Sequence, residues 1–193
     1  MNVALVVEGA TDESAYPRLI HRIWDNAVVS QVRACGGKSK LKNGFVAHLK
    51  EFQRNNAWRI DAAFVIRDSD CLPPAGIEQQ LAEVLDATGF APDFAVEFFV
   101  TPCMLESWLL SDTPAIGSVA ADRGTAREAN LQHIEITPQP SADDDETFVR
   151  VLSRFGLPAT PAVYGDVAAR ADLSLIERRC GYFREFRRRV ALH

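Results

Sequence analysis

The sequence predicts an α/β protein in which a mostly parallel, four-stranded sheet is flanked by helices and followed by a helical C-terminal extension. In the first half, short apolar runs alternate with segments of helical periodicity, an order typical of parallel sheets covered on both faces. Two of those apolar runs end in acidic clusters, and the second half carries repeated helix-start patterns. With 193 residues, of which 47% are hydrophobic, the chain is large enough to build a full core.

Four short apolar segments, each bounded by turn residues, predict buried strands. They are residues 3–7, 27–34, 61–67 and 94–100. Apolar residues recur at helical spacing in the three stretches between them, which predicts amphipathic helices. These stripes lie within residues 16–24, 41–52 and 77–88.

The second half is predicted to be helical. Thr-Pro pairs at 101–102, 113–114 and 160–161 place a helix-capping residue before a proline, which is a typical helix start. The acidic run at 143–146 suits the positive end of a helix that Ser141 caps, and one last helix follows through residues 176–190. We therefore predict a core at 1–112 and a helical extension at 113–193 packed on it. The polar segment 122–140 is a candidate mobile loop.

Composition narrows the class of protein. The net charge of −5 provides no overall field for polyanions, so nucleic-acid binding would need a local basic patch. The sequence has no N-terminal leader pattern and no apolar stretch of membrane-spanning length. Its four cysteines form no CxxC pair, which predicts reduced thiols. We expect a cytoplasmic protein.

Acidic residues follow two of the predicted strands, and they are the main functional feature of the sequence. Glu8 and Asp12 follow the first strand, and Asp68 and Asp70 follow the third. Ligands of open α/β sheets gather outside the carboxyl ends of the strands. Asp68 and Asp70 are two residues apart, so in an extended segment they would point to the same side. Carboxylates in this position predict a site for a hard divalent cation such as Mg²⁺.

These acidic motifs resemble those of Toprim domains, the fold shared by topoisomerases, primases and OLD-family nucleases. The similarity lies in the order and spacing of Val7-Glu8-Gly9-x-Thr11-Asp12 and Arg67-Asp68-Ser69-Asp70. Residues 36–40 and 105–112 also resemble a subset of small, mostly uncharacterised Toprim-like proteins. Members of that subset are often paired with ABC-type ATPases, and some act in phage defence. The resemblance covers residues 3–112 as the Toprim core and, more loosely, the whole chain.

The resemblance implies a metal-dependent nuclease that binds Mg²⁺ or Mn²⁺. Asp68 and Asp70 would be metal ligands, and Glu8 either a third ligand or the general base. Asp12 and Glu106 would complete a second metal site. For Asp12 the alternative is an ordinary first-turn helix acid, and for Glu106 it is an exposed helical side chain.

Other residues would contact phosphate or a partner. Gly9 would allow close backbone approach to a phosphate, and Lys38 and Lys40 in the glycine-rich turn would hold it. The arginine-rich end is either a solvated face or a contact for nucleic acid or a partner protein. That contact would use Arg184, Arg187, Arg188 and Arg189.

One feature departs from the OLD-like pattern, which has a basic residue, usually Lys, late in the Toprim domain. This chain has no Lys beyond Lys50. Arg67, Arg123, Arg150 or a C-terminal arginine would have to replace it, and arginine neutralises charge but does not donate a proton as lysine can.

Two functions therefore stay open. The first is a nuclease that acts with an ATPase partner. The second is a catalytically weak Toprim adaptor or sensor that binds an ATPase, which the acidic net charge and the missing late Lys favour. A receiver-like domain is disfavoured, because the acid pair and the single acid occur in the reverse order.

Overall fold

The computed structural model describes residues 1–55, 59–125, 131 and 134–192. It contains a four-stranded sheet in the order β2-β1-β3-β4, with every neighbouring pair parallel. This confirms the predicted α/β fold with a parallel sheet. The strands are β1 Asn2–Val7, β2 Val28–Ala34, β3 Ala62–Asp68 and β4 Ala95–Thr101.

Side chains alternate across the sheet, so β1 and β3 supply both halves of the core. Val3, Leu5 and Val7 face one side, where they join helix α1 (Ala10–Ile23) and the helical extension. Ala4 and Val6 face the other side, beneath helices α2 (Lys38–Arg54) and α3 (Pro74–Ala87). Both faces are covered, which is why the central strands are apolar throughout.

The extension consists of short helices packed on the α1 side of the sheet. Trp108 lies at the centre of this packing, with ring centroids 4.8 Å from Phe183 and 5.2 Å from Phe186. Phe186 in turn lies 4.8 Å from Phe99 of β4. The extension therefore shares one core with the sheet. Helix α4, Leu105–Leu109, lies at the end of the predicted core. The helices of the extension are α5 Thr113–Asp122, α6 Asp144–Arg154, α7 Pro161–Arg170, α8 Leu173–Arg179 and α9 Phe183–Ala191.

The prediction of one last helix is wrong, because the chain forms α8 and α9 with a break between them. Cys180 ends α8 with a non-helical φ of −121° and ψ of 78°, and Gly181 follows. Ile176 of α8 and Phe183 of α9 both enter the same core. Of the predicted loop at 122–140, residues 126–130 and 132–133 lie outside the described residues, and 134–140 form no regular element.

The expectation of four reduced thiols is also corrected. Cys71 and Cys103 form a disulfide, whereas Cys35 and Cys180 are free. The two bonded residues are 32 positions apart, but β3 and β4 are neighbours in the sheet and the loops that follow them meet. Sequence spacing alone does not reveal that proximity.

Across the described ranges, no helix combines the length and apolarity needed to cross a membrane. Cytoplasmic localisation stays a prediction.

Candidate active site

The sheet topology brings the ends of β1 and β3 together. Val7 is paired with Ile66 in the parallel register, so Glu8 follows level with Arg67, one residue before Asp68, at the same edge of the sheet. That edge is the carboxyl end of the strands, where the sequence places the site.

Glu8 is held by the turn that precedes α2. Its carbonyl accepts hydrogen bonds from the amides of Gly36 at 2.8 Å and Gly37 at 2.9 Å. The start of α2 is therefore fixed beside the Glu8 side chain. The carboxylate atom Oε2 is buried, and it has no hydrogen-bond partner among the described residues. Burial raises the pKa of Glu8, while the charges of Lys38 and Arg67 oppose that rise.

Asp12 is a first-turn helix acid, one of the two roles that its position suggested, and its role as a metal ligand stays a prediction. Its Oδ2 accepts the Gly9 amide at 2.8 Å, as expected for a carboxylate in the first turn of a helix. It is also only 7% exposed. Burial raises the pKa of Asp12 to about 7, and the nearby charges of Glu106 and Glu8 add to the effect, although the Gly9 hydrogen bond opposes it.

Asp68 and Glu106 complete a cluster of four carboxylates with Glu8 and Asp12. Burial raises the pKa of Asp68 well above its usual range, and Asp12, Glu106 and Glu8 raise it further. The pKa of Glu106 is raised mainly by burial. We call these four residues the acid cluster. Like charges gathered in a partly buried place destabilise the ionised forms unless a cation joins them.

A pair of hydroxyl groups lies close to the acid cluster. The Tyr16 and Thr101 hydroxyls are 2.6 Å apart, and both residues are buried. Burial raises the Tyr16 pKa well above its usual range, and the charges of Asp68 and Asp12 contribute. Tyr16 is therefore a neutral group beside the carboxylates.

Asp70 does not point into the acid cluster as the spacing argument suggested. The chain leaves the extended conformation after Asp68, with a φ of 52° at Asp70 and 62° at Cys71. The alternation rule therefore does not apply to this pair. Asp70 is exposed and forms an ion pair with Lys38, and its charge acts on Glu8 from that side. Its role as a metal ligand stays a prediction.

The basic residues near the cluster are Lys38 and Arg67. Their charges lower the pKa of Glu8, and Arg67 Nε donates to the carbonyl of Asp68 at 3.2 Å. Lys40 folds back over Gly36, where its Nζ would lie 3.7 Å from an added Cβ. Among the arginines that could replace the missing late Lys, Arg67 is therefore the candidate, because its charge acts on Glu8.

The other arginine candidates have partners elsewhere. Arg123 pairs with Asp166 at 2.6 Å, and Arg150 Nη2 donates to the hydroxyl of Thr147 at 3.3 Å. At Gly9 an added Cβ would meet Asp12 Oδ2 at an ordinary 3.7 Å. The φ of −137° there suits any residue, so a phosphate contact at Gly9 stays a prediction.

Intramolecular ion pairs hold most of the C-terminal arginines. Arg187 pairs with Glu177 at 2.8 Å, and Arg188 pairs with Glu185 at 2.6 Å. Arg189 is the least exposed of them and reaches Glu78 at 3.1 Å. Arg184 is exposed, with no ion pair within the described part of the chain. A contact with nucleic acid or a partner through these residues stays a prediction.

Sequence reasoning missed two features next to Glu106. Tyr164 of α7 lies near enough for the charge of Glu106 to add to the burial that raises the Tyr164 pKa, and no local pattern marks Tyr164 for that place. Asp144, which belongs to the acidic run predicted at the start of a helix, is buried. Both of its carboxylate oxygens accept from Arg179 Nη2 at 2.9 Å. Asp143, Asp145 and Glu146 are exposed, as a solvated helix start would be.

The donor set of the acid cluster fits a hard divalent cation. All its ligand atoms are carboxylate oxygens, which Mg²⁺ and Mn²⁺ favour, and the buried Oε2 of Glu8 lacks a partner among the described residues. Within that same part of the chain, however, no three His, Cys, Asp or Glu side chains already converge in a metal-binding arrangement. Side-chain rotation would therefore accompany cation binding.

The acid cluster lies within residues 8–106, and one family model covers both this part of the chain and the helical extension. The model of DUF4276, a domain of unknown function, matches residues 7–191, and the chain belongs to that family. The match runs from the last residue of β1 to the last residue of α9. No curated protein and no solved structure shows a significant match to the chain.

Proposed function

We propose that this protein is a Mg²⁺- or Mn²⁺-dependent phosphodiesterase of the Toprim nuclease type, which acts in the cytoplasm with an ABC-type ATPase partner in defence against phage. The observation that carries the proposal is the acid cluster, in which four carboxylates with upward-shifted pKa values adjoin two cationic side chains. Perturbed carboxylates of this kind, grouped at the carboxyl ends of parallel strands, are typical of functional sites.

The cation would be held by Asp68 and Glu8, with Asp12 and Glu106 completing its surroundings. When bound, a divalent cation polarises a phosphate oxygen and lowers the pKa of a coordinated water. Glu8 has a second possible role, because its raised pKa suits a general base that accepts a proton at Oε2. The proposal keeps both roles for Glu8.

Lys38 and Arg67 would act on the substrate. Their charges already act on the acid cluster through Glu8, so a phosphodiester approaching the cluster would meet both. Lys38 would exchange its ion pair with Asp70 for the phosphate. The Arg67 guanidinium is always protonated, and it would neutralise charge that develops on the phosphoryl oxygens.

The proposal is tested by Mn²⁺ calorimetry and a cleavage assay on single- and double-stranded DNA and RNA. We expect Asp68→Asn to abolish both binding and cleavage while thermal unfolding stays cooperative. Asp166→Asn is the matched control, because Asp166 pairs with Arg123 outside the acid cluster. Cleavage by Asp68→Asn at the wild-type rate would rule out this site.

A second candidate function is an adaptor or sensor that binds an ATPase without efficient catalysis. Two observations favour it: the described residues contain no ready-made metal cluster, and Lys38 already engages Asp70. It predicts no Mn²⁺-dependent turnover but a stable complex with the ATPase. Charge reversal at Arg184 and Arg188, both exposed on α9, should weaken that complex. Unchanged affinity would count against α9 as the interface.

A further inference from the structure

The chain is acidic overall, but all of its lysines are gathered on one helix, α2, together with an arginine. These basic residues are Lys38, Lys40, Lys42, Lys50 and Arg54. The same helix carries a single acid, Glu51, which already pairs with Arg33 of β2 at 2.6 Å. Helix α2 therefore provides the local basic patch that nucleic-acid binding requires in a chain with a net charge of −5.

Three of the basic residues form a stripe along the outer face of α2. The members of the stripe recur every three or four positions, which places them on one side of the helix, and all of them are exposed. They are Lys40, Asn43, Ala47, Lys50 and Arg54. We call these five residues the α2 stripe. From Lys40 to Arg54 the helix rises by roughly 21 Å, the axial length of about six phosphates of one DNA strand.

The charges of the α2 stripe are not neutralised by acids within the described part of the chain. Lys40 folds back over Gly36. Lys50 Nζ lies 5.5 Å from the centroid of the Phe90 ring, and Arg54 Nε donates to the carbonyl of Lys50 at 3.2 Å. These contacts orient the side chains and leave their positive charges available. Most arginines of α9, in contrast, are already paired with glutamates.

The α2 stripe begins next to the acid cluster. The amides of Gly36 and Gly37, just before α2, bond the carbonyl of Glu8, and Lys40 lies in the first turn of the helix. From there the stripe runs away from the cluster, along the face of the sheet opposite the helical extension. A polyanion bound along α2 would therefore have one end at the acid cluster.

The composition of this surface favours a nucleic acid over a protein partner. The exposed residues of α2 are polar or basic apart from the small Ala47, whereas the centre of a protein interface is usually apolar and aromatic. Evenly spaced cations without an apolar centre match a phosphate backbone, which carries charges at regular intervals.

We propose that the α2 stripe binds a nucleic-acid strand through its phosphates, with Lys40, Lys50 and Arg54 as the contacts, and directs that strand to the acid cluster. Contacts of this kind position the strand without reading its bases. The inference rests on the proposed function, because it takes the bound strand as the substrate of the acid cluster.

The test is fluorescence anisotropy on the full chain, with labelled DNA of about 12 nucleotides, twice the span of the stripe, in single-stranded and duplex form. EDTA prevents metal-dependent cleavage during the measurement. The variant Lys40→Gln/Lys50→Gln/Arg54→Gln removes three exposed charges and keeps good helix formers. We expect the Kd to rise about a hundredfold at about 0.1 M salt, and the slope of log K against log salt concentration to fall in magnitude by about 2.

The matched control removes three arginines that are also exposed but lie on α1 and α6, on the other face of the sheet. The control variant is Arg18→Gln/Arg22→Gln/Arg154→Gln, and its Kd should stay as in wild type although the net charge changes equally. Equal losses in both variants would overturn the proposal, as would a wild-type Kd for the α2 variant. Failure of wild type to bind either form of DNA would also overturn it, in favour of an acidic protein partner.

The failure of this inference is distinguishable from the failure of the proposed function, because DNA binding is measured without the cation. If Asp68→Asn abolishes cleavage but the α2 variant binds DNA like wild type, the inference alone is wrong. If the α2 variant loses DNA binding but Asp68→Asn cleaves at the wild-type rate, the binding surface stands and the proposed active site is wrong.

Discussion

Acidic side chains behave in opposite ways at two places in this protein. In the acid cluster, burial and mutual repulsion raise the pKa of Asp12 to about 7. On α9, hydrogen bonds from Arg188 and Arg189 lower the pKa of Glu185 to about 2. The acid cluster has four carboxylates near two cationic side chains, Lys38 and Arg67, whereas Glu185 is paired with two arginines. The comparison indicates that the ion pairs of α9 stabilise the fold, whereas the burial of the acid cluster lowers its stability.

The ion-paired residues Arg189 of α9 and Glu78 of α3 also cover an edge of the sheet. Arg189 Nη1 donates to the carbonyl of Phe98 at 2.7 Å, and Glu78 Oε1 accepts the amide of Val100 at 3.2 Å. Strand β4 is the last strand of the sheet, so these side chains satisfy backbone groups that no further strand pairs with. Arg189 and Glu78 also pair with each other at 3.1 Å, which joins α9 to α3.

The largest expected effect comes from a substitution that breaks the ion pair between Arg189 of α9 and Glu78. Arg189→Ala should lower the free energy of unfolding by about 3 kcal/mol, because it leaves the largely buried Glu78 without its partner. Urea unfolding measures the change. Arg184→Ala on the same helix should stay within about 0.5 kcal/mol, since Arg184 is an exposed surface residue. Equal effects of the two substitutions would contradict the assignment of a structural role to Arg189.

The second expected effect is an increase in the free energy of unfolding, and it comes from the acid cluster. The folded-state pKa of Asp12 is raised from 3.8 to about 7, so folding favours its protonated form. Its contribution to stability is present below pH 3.8 and is lost as the pH rises through about 7. Asp12→Asn should therefore stabilise the metal-free protein by roughly 2 kcal/mol at pH 8 and hardly at all at pH 4.

Glu185→Gln is the matched comparison for Asp12→Asn. The pKa of Glu185 is lowered, so its contribution is present above its ordinary pKa and is lost as the pH falls through about 2. Removing the charge should destabilise the protein at pH 8. Urea unfolding of both variants at pH 4 and pH 8 checks the two signs. Destabilisation by Asp12→Asn at pH 8 would refute the interpretation of the acid cluster.

The smallest effect distinguishes exposed from buried pairs within α9. The Arg188 side chain is 57% exposed in its pair with Glu185, against 18% for Arg189 in its pair with Glu78. Solvent screens the first pair, so Arg188→Ala should cost less than about 0.5 kcal/mol. If urea unfolding shows a loss as large as that of Arg189→Ala, exposure does not explain the difference between the two arginines.

Much of the candidate site could be predicted from the sequence, because its backbone follows from local patterns. Apolar runs that are buried on both faces mark β1 and β3, and their parallel arrangement places Glu8 and Asp68 at the same edge of the sheet. The alternation of strand and helix patterns predicts the fold class, because these patterns too are local in the sequence. Glu106 came from the resemblance of its motif, and the structure brings it to the other acids.

Only the tertiary structure decided how the side chains at that edge are used. The direction of Asp70 depends on a left-handed turn at residues 70 and 71, which a two-residue spacing does not encode. The electrostatic contact of Tyr164 with Glu106, like the buried pair of Asp144 with Arg179, brings together residues far apart in the chain. Sequence periodicity specifies which face of an element is buried. Which distant side chains meet there depends on helix packing, here on the close contact of Gly165 with Ser14.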